Sequence, residues 1–444
     1  MDRIKLSDHF TYKRILRFTA PSMAMMIFIS VYGMVDGFFV SNFAGKTPFA
    51  ALNLIMPFIM VLAAAGFMIG TGGSAIVGKT MGEGKSDLAK EYFSFLTIVG
   101  LVLGVIFAVV GAIFMRPVAL LLGADANMLG DCVVYGRISM ISMPAFMLQY
   151  MFQSFFITAE KPKLGFYMTV LAGVTNMVLD VVFVGIMDGG IVGAAWATVA
   201  GEFVGAIVSF VYFIRENDST LKLVRTKFYG RVLLKTCTNG CSELASNIAM
   251  SFIAIVFNLQ LIKYAGEDGV AAYGVIMYVS FVFVALFLGY VQGTAPIISY
   301  NFGAQTHNEL KNVFAKSMKL MCGGGILITV LSLLTARLVC NIFVGYDPQL
   351  SELTIRAYII YSFTYLFAGV GIFGSGLFTA LNNGIISAII SIVRTFVFRL
   401  GAVIILPVFL GVDGIWISTC AAEVLAFALS VIFILAFRKK YKYA

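Results

Sequence analysis

Long apolar stretches separated by short polar breaks run along the chain from residue 15 to residue 437. Splitting it at the breaks gives segments near 15–40, 49–78, 91–115, 132–158, 164–187, 191–214, 235–262, 270–299, 313–335, 352–379, 387–409 and 412–437. Crossing the hydrocarbon of a bilayer takes a helix of about 20 apolar residues, and every segment is long enough. The breaks carry turn chemistry: Ser41-Asn42 with Gly45 and Pro48, Gly82-Glu83-Gly84, Glu160-Lys161-Pro162, Asp188-Gly189-Gly190, and Gly411 with Asp413-Gly414. The pattern predicts an all-α integral membrane protein of twelve transmembrane helices, here spans 1–12.

Charge then orients the spans. With the N-terminus inside, 23 of the 31 Lys and Arg fall in cytoplasmic tails and loops, and only Lys46, Arg116, Lys263 and Arg337 fall on the other side. Arg137, Arg356, Arg394 and Arg399 lie within spans or near their ends. By the positive-inside rule both termini are cytoplasmic, in a multi-pass protein of the cell membrane. The leading MDRIKLSDHFTYKRILRF is too charged for a cleaved signal peptide and reads as a retained tail.

Composition narrows the class. Of 444 residues 60% are hydrophobic and 12% charged, about half the charged share of a soluble domain. Soluble enzymes, nucleic-acid binders and secreted disulfide scaffolds are disfavoured, and the net charge of +9 becomes an orientation signal. The six cysteines form no CxxC, and the two histidines, His9 and His307, lie in polar stretches. No catalytic thiol, resident metal or cofactor is suggested.

The chain is two copies of one half. Pairing residue i with i+221, without gaps, gives 36 identities in 223 pairs, among them Gly45/Gly266, Gly72/Gly293, Gly82/Gly303, Arg116/Arg337, Thr198/Thr419 and Glu202/Glu423. This predicts an N-lobe over 1–214 (spans 1–6), a cytoplasmic linker over 215–234 and a C-lobe over 235–444 (spans 7–12). Six helices per half put both lobes in the membrane in the same direction, a 6+6 parallel repeat about an axis along the membrane normal.

The differences between the halves carry the candidate chemistry. Asp36 is matched by Phe257, Asn176 by Val397 and Asp180 by Gly401. A carboxylate at mid-membrane costs about 2.5–3.5 kcal/mol on insertion scales and is by default a functional candidate. Asn176 and Asp180 share a helix face at i and i+4, and counting along the spans sets Asp36, Asp180 and Thr198 at one depth, in the outer half of the membrane. Such a set either shares protons or neutralises a small cation such as Na+. Glu243, opposite Ser22, reads as a substrate or ion contact or as an interface residue. Glu202 and Glu423, at matched places, read as structural in each lobe. Arg394 and Arg399 have no N-lobe twins and could pair with an acid such as Glu423. Pro21 permits a bend in span 1, and 22 Met and 41 Phe suit an adaptable cleft.

The segments VYGMVDGFFVSNFAG, GVTNMVLDVVFV, GIVGAAWATV, QGTAPIISYNFGA and LNNGIISAIISIVRTFVF, in their places in the repeat, resemble the multidrug and toxic compound extrusion (MATE) transporters, in the MepA-like or DinF-like bacterial branch. The resemblance implies a secondary antiporter rather than an enzyme, with two lobes that alternate between inward and outward openings and expel cationic or amphipathic drugs against H+ or Na+. It also implies a coupling-cation site at Asp36, Asn176, Asp180 and Thr198, with Gln153 where the family often has Asn, and a hinge at Pro21. Glu243 resembles the span 7 acid of a C-lobe sodium site, but span 10 has no acid. That favours the N-lobe and H+, with Asp36 and Asp180 as ligands should the ion be Na+. The expected partners are small-molecule drugs, the coupling ion and the bilayer, with no nucleic acid, and the chain is expected to act as a monomer. The rival readings are a flippase for a lipid-linked or polysaccharide precursor and a non-transporting membrane protein.

Overall fold

The computed structural model describes residues 4–444. Arg3, in the predicted basic tail, lies outside the described residues, as do the side chains of Lys46 and Ser251. The chain is helical almost throughout, and the helices resolve into the twelve expected spans. Span 1 is Tyr12–Phe39, continued by a π-helical segment Val40–Ala44; span 2 is Lys46–Gly82 and span 3 Ser86–Leu121. Span 4 is a bent pair, Leu129–Ile141 and Met143–Thr158, at 56° to each other. Span 5 is Pro162–Asp180 with a π segment Val181–Ile186, and span 6 is Gly190–Ile214.

Gly230–Gly303 covers 74 residues, and at about 1.5 Å per residue a single straight helix of that length would reach far past any bilayer. Gly266, at φ 62°, breaks it into span 7 (230–265) and span 8 (267–303). Span 9 is His307–Val344, and span 10 is the pair Pro348–Ser362 and Tyr365–Ala380, bent by 46°. Gly384–Tyr441 divides at Gly411, φ 60°, into span 11 (384–410), with a π segment Val393–Arg399, and span 12 (412–441). Gly45/Gly266 and Gly190/Gly411 are repeat pairs, and all four have positive φ. The same turn recurs because only glycine takes that conformation without strain.

Several spans exceed the apolar segments at one or both ends, span 9 at both. The linker runs along the basic end of span 3: Val224 N–H donates to Ser94 Oγ at 2.8 Å, Thr226 Oγ1 to the Glu91 carbonyl at 2.9 Å, and Tyr229 to the Glu91 carboxylate. That last bond, with some burial, pushes the Tyr229 phenol up to about 12.

The two halves meet along a seam of glycines. A Cβ on Gly82 would collide with the Tyr300 carbonyl, and one on its repeat mate Gly303 with the Lys79 carbonyl. Lys79 and Tyr300 are themselves repeat mates, so spans 2 and 8 cross in a self-complementary contact of the kind a two-fold axis generates. Gly72 and Gly240 similarly admit spans 7 and 2 to each other, and Gly289 and Gly293 admit span 1 to span 8. Asn382 Nδ2 bonds the Ala75 carbonyl at 3.1 Å, and Gln292 Nε2 bonds Ser154 Oγ at 3.4 Å across the same seam. The helix ends joined here are those that carry the basic loops.

Candidate functional site

Within its spans the N-terminal half gathers acids that, among the described residues, form no ion pair with Lys or Arg. Asp36 comes from the end of the α-helical part of span 1, Asn176 and Asp180 from one face of span 5, and Thr198 from span 6. Asp36 is 8% exposed and Asp180 0%. Asn176 Nδ2 donates to Thr198 Oγ1 at 3.3 Å, and the carboxyl of Asp36 faces that of Asp180 with the Asn176 amide beside it. One oxygen of Asp36, both of Asp180 and the amide oxygen of Asn176 are buried with no donor. Two facing carboxylates out of water repel unless a proton or metal cation lies between them. Of the five positions expected from the resemblance, Asp36, Asn176, Asp180 and Thr198 are brought together.

Backbone irregularity frames the cluster. The π segment of span 5 begins at the residue after Asp180, that of span 1 four residues after Asp36, and the two pack against each other. Such π turns are rare and recur at functional sites.

Gln153 does not join the cluster. Tyr135, on span 4, faces Thr198 and Asp36, whereas Gln153 lies 18 residues further on, roughly 27 Å of helix before the bend is allowed for. It is buried with both amide atoms unpartnered, next to Ser154 at the seam with span 8. Pro21 lies well inside span 1, which stays continuously helical through it.

Glu202, read from the repeat as structural, stands with tyrosines that the sequence did not single out. Glu202 lies one helical turn beyond Thr198, beside Ser142 and within electrostatic reach of Asp36, and the rings of Tyr32, Tyr135 and Tyr150 surround these acids. The i, i+4 spacing of Thr198 and Glu202 was the available signal. Among the described residues no Lys or Arg bonds Asp36, Asp180 or Glu202.

The C-terminal half is arranged otherwise. Glu423, the twin of Glu202, is held by Arg394 in a two-pronged pair, Nε to both carboxylate oxygens at 3.0 Å and NH2 to Oε1 at 2.9 Å. The expected Arg394–Glu423 pairing is present. In the N-terminal half Gly173 stands where Arg394 does, and a side chain there would run into the Phe28 ring. Matched acids thus have unmatched surroundings: Glu423 is closed in an ion pair with Arg394, and Glu202 is not. Glu243 lies within reach of Arg394 and belongs to the same charge group.

Three embedded carboxylates without a fixed cation contrast with the other half, where Arg394 closes on Glu423 and lies within reach of Glu243. Among the described residues no group of three or more His, Cys, Asp or Glu could hold a metal ion. A monovalent cation would be held by the oxygens of Asp36, Asp180, Asn176 and Thr198.

A duplicated twelve-span membrane protein with a buried acid pair in one half is the class that fold and site define. A family model described as MatE matches the chain twice, over residues 21–182 and 244–405, and the chain belongs to that family. It is 24% identical over 406 residues to the multidrug export protein MepA of Staphylococcus saprophyticus, covering 91% of this chain and 88% of that one. To the MepA of Staphylococcus haemolyticus it is 23% identical over 437 residues, covering 97% and 94%. Its fold matches a solved outward-facing multidrug-resistance MATE transporter with a TM-score of 0.93 at 21% identity over 100% of this chain and 99% of that one. A MATE structure in a bent conformation matches at 0.88, 21% identical, covering 98% of each chain.

Proposed function

We propose that the protein is a cation-coupled multidrug antiporter that exports cationic and amphipathic compounds by alternating access between an N-lobe (1–214) and a C-lobe (235–444). The observation that carries the reading is the set of buried oxygens on Asp36, Asp180 and Asn176 that have no donor. They form a place that is incomplete until a cation enters, and H+ suits a facing carboxyl pair without further ligands. The named activity of the MepA relatives supports drugs as the cargo.

In this reading both termini are cytoplasmic and the glycine seam closes the cytoplasmic side. Loading Asp36 and Asp180 from outside removes their mutual repulsion and lets spans 1 and 5 approach. Span 1 then bends at Pro21, where no backbone N–H ties the helix, and the drug's half of the cleft contracts. One proton moving down 100 mV supplies about 2.3 kcal/mol, enough for a modest drug gradient.

The test is purified protein in proteoliposomes with ethidium and an imposed pH or Na+ gradient. Export should persist in Na+-free buffer, and Asp36→Asn should abolish drug-driven cation flux while the protein still folds. Wild-type coupling in that variant would sink the reading. Absence of drug export together with movement of a lipid-linked precursor would favour the flippase.

A further inference from the structure

Arg399 is an arginine embedded in the membrane with no acid against it. Its guanidinium carbon lies 6.0 Å from the centre of the Phe257 ring, and its NH2 donates to the Tyr361 hydroxyl at 3.4 Å. Tyr273 stacks on Phe257 with ring centroids 5.1 Å apart and planes at 13°. The Arg399 Nε is buried with no acceptor, and among the described residues no carboxylate forms an ion pair with it.

The position is what matters. Phe257 is the repeat mate of Asp36, so the guanidinium sits over the residue that replaces the coupling carboxylate. The repeat alone would not put it there: Val178, the mate of Arg399, is 55% exposed on the outside of its lobe. The difference lies in the helix. In span 5 the π segment begins only after Asp180, but in span 11 it covers Val393–Arg399. Each residue inserted by a π turn rotates the remainder of the helix by about 100°, which carries Arg399 from the outer face toward Phe257.

We propose that the Arg399 guanidinium is a tethered cation. It fills in the C-lobe the place that an exchangeable cation fills at Asp36 and Asp180, so the C-lobe is always in its loaded arrangement and all coupling passes through the N-lobe. This rests on the antiport reading above. It makes Arg399 a positioning residue that holds spans 7, 8, 10 and 11 together through a permanent charge on aromatic faces, an interaction a neutral side chain of similar size cannot make. Met or Gln would fill the space and leave the rings without their cation.

Ethidium export in proteoliposomes, driven by one fixed gradient and read at several pH values, tests the charge. Arg399→Lys should retain most of the rate, and Arg399→Gln should lose about tenfold at every pH. Arg399→His should follow Lys below about pH 6 and Gln above about pH 8, a profile that wild type lacks. The titratable and charged groups facing this position do not supply that profile. They are the Tyr273 and Tyr361 hydroxyls and Glu423, the last held by Arg394, on the same span as Arg399. A wild-type rate in Arg399→Gln, or identical profiles for Gln and His, overturns the proposal.

Should the Gln variant not fold, the His profile and a second measurement decide. In Asp36→Asn, a residual ion current carried by the C-lobe would contradict a permanently filled C-lobe. Undiminished drug-coupled flux in that variant would instead fell the N-lobe reading on which the proposal rests.

Discussion

The Glu309 carboxylate, at the start of span 9, accepts the backbone N–H of Phe10, in the N-terminal tail, at 2.8 Å. The bond belongs to a strap. Asn312 and Lys316 donate to the Phe10 carbonyl at 2.9 and 2.7 Å, His9 meets Glu309 at 2.7 Å, and Leu6 donates to Glu160 of the first half while Asn301 of the second reaches the Leu6 carbonyl. Leu6 and Phe10 are fully buried. A tail fastened to both halves must let go of one before their basic ends can part.

Glu309→Ala should therefore loosen the strap, removing hydrogen bonds to a charged group worth about 1.5–3 kcal/mol each in a buried setting and less here, where solvent screens them. Limited trypsin digestion should cut at Lys13 or Arg14 several-fold faster than in wild type. Unchanged cleavage would mean that burial of Leu6 and Phe10 alone holds the tail.

At the seam, Gly82→Val should hold the basic ends apart. Its side chain meets the Tyr300 carbonyl, a backbone atom that cannot swing away. Spin labels at Glu83→Cys and Ala304→Cys should report a longer mean distance in Gly82→Val than in the otherwise unaltered labelled protein, and Gly303→Val should do the same because the contact is two-fold related.

In the antiport reading, Glu202, an embedded acid with no Lys or Arg bonded to it among the described residues, is the counter-charge offered to a cationic substrate. Glu202→Gln should weaken binding of a quaternary phosphonium dye by roughly tenfold, as expected for one charge pair in a largely desolvated site. Binding of a neutral dye of similar size should change little. Equal losses for both dyes would assign Glu202 to packing.

For the pair that is already closed, the sign differs by variant. Arg394→Met strands a buried carboxylate and should destabilise by about 3–5 kcal/mol, whereas Arg394→Met with Glu423→Leu should recover much of that loss. Thermal unfolding in detergent reads both. A double variant no better than the single one would show that Arg394 holds more than Glu423.

The difference between Glu202 and Glu423 shows where sequence reasoning stopped. The two occupy one place in the repeat, and equal position suggested equal role. The partner that separates them comes from span 11, and Gly173 against Arg394 is legible as a difference but not as a contact. Gln153 stands apart for a related reason: a family position places a residue on its helix, while the distance along a bent span 4 sets how near it comes to the other four.

Twelve spans, the side on which the basic loops collect, the duplication and the asymmetric acids Asp36 and Asp180 were determined by sequence alone. Each follows from a local rule: the length of an apolar run, the charge of a loop, a glycine at a turn. Only the tertiary structure decided which buried charges are satisfied and which are not. A hydrogen bond or an ion pair needs two atoms within about 3 Å, and a single π turn, as in span 11, is enough to carry a side chain from one face of a helix to another.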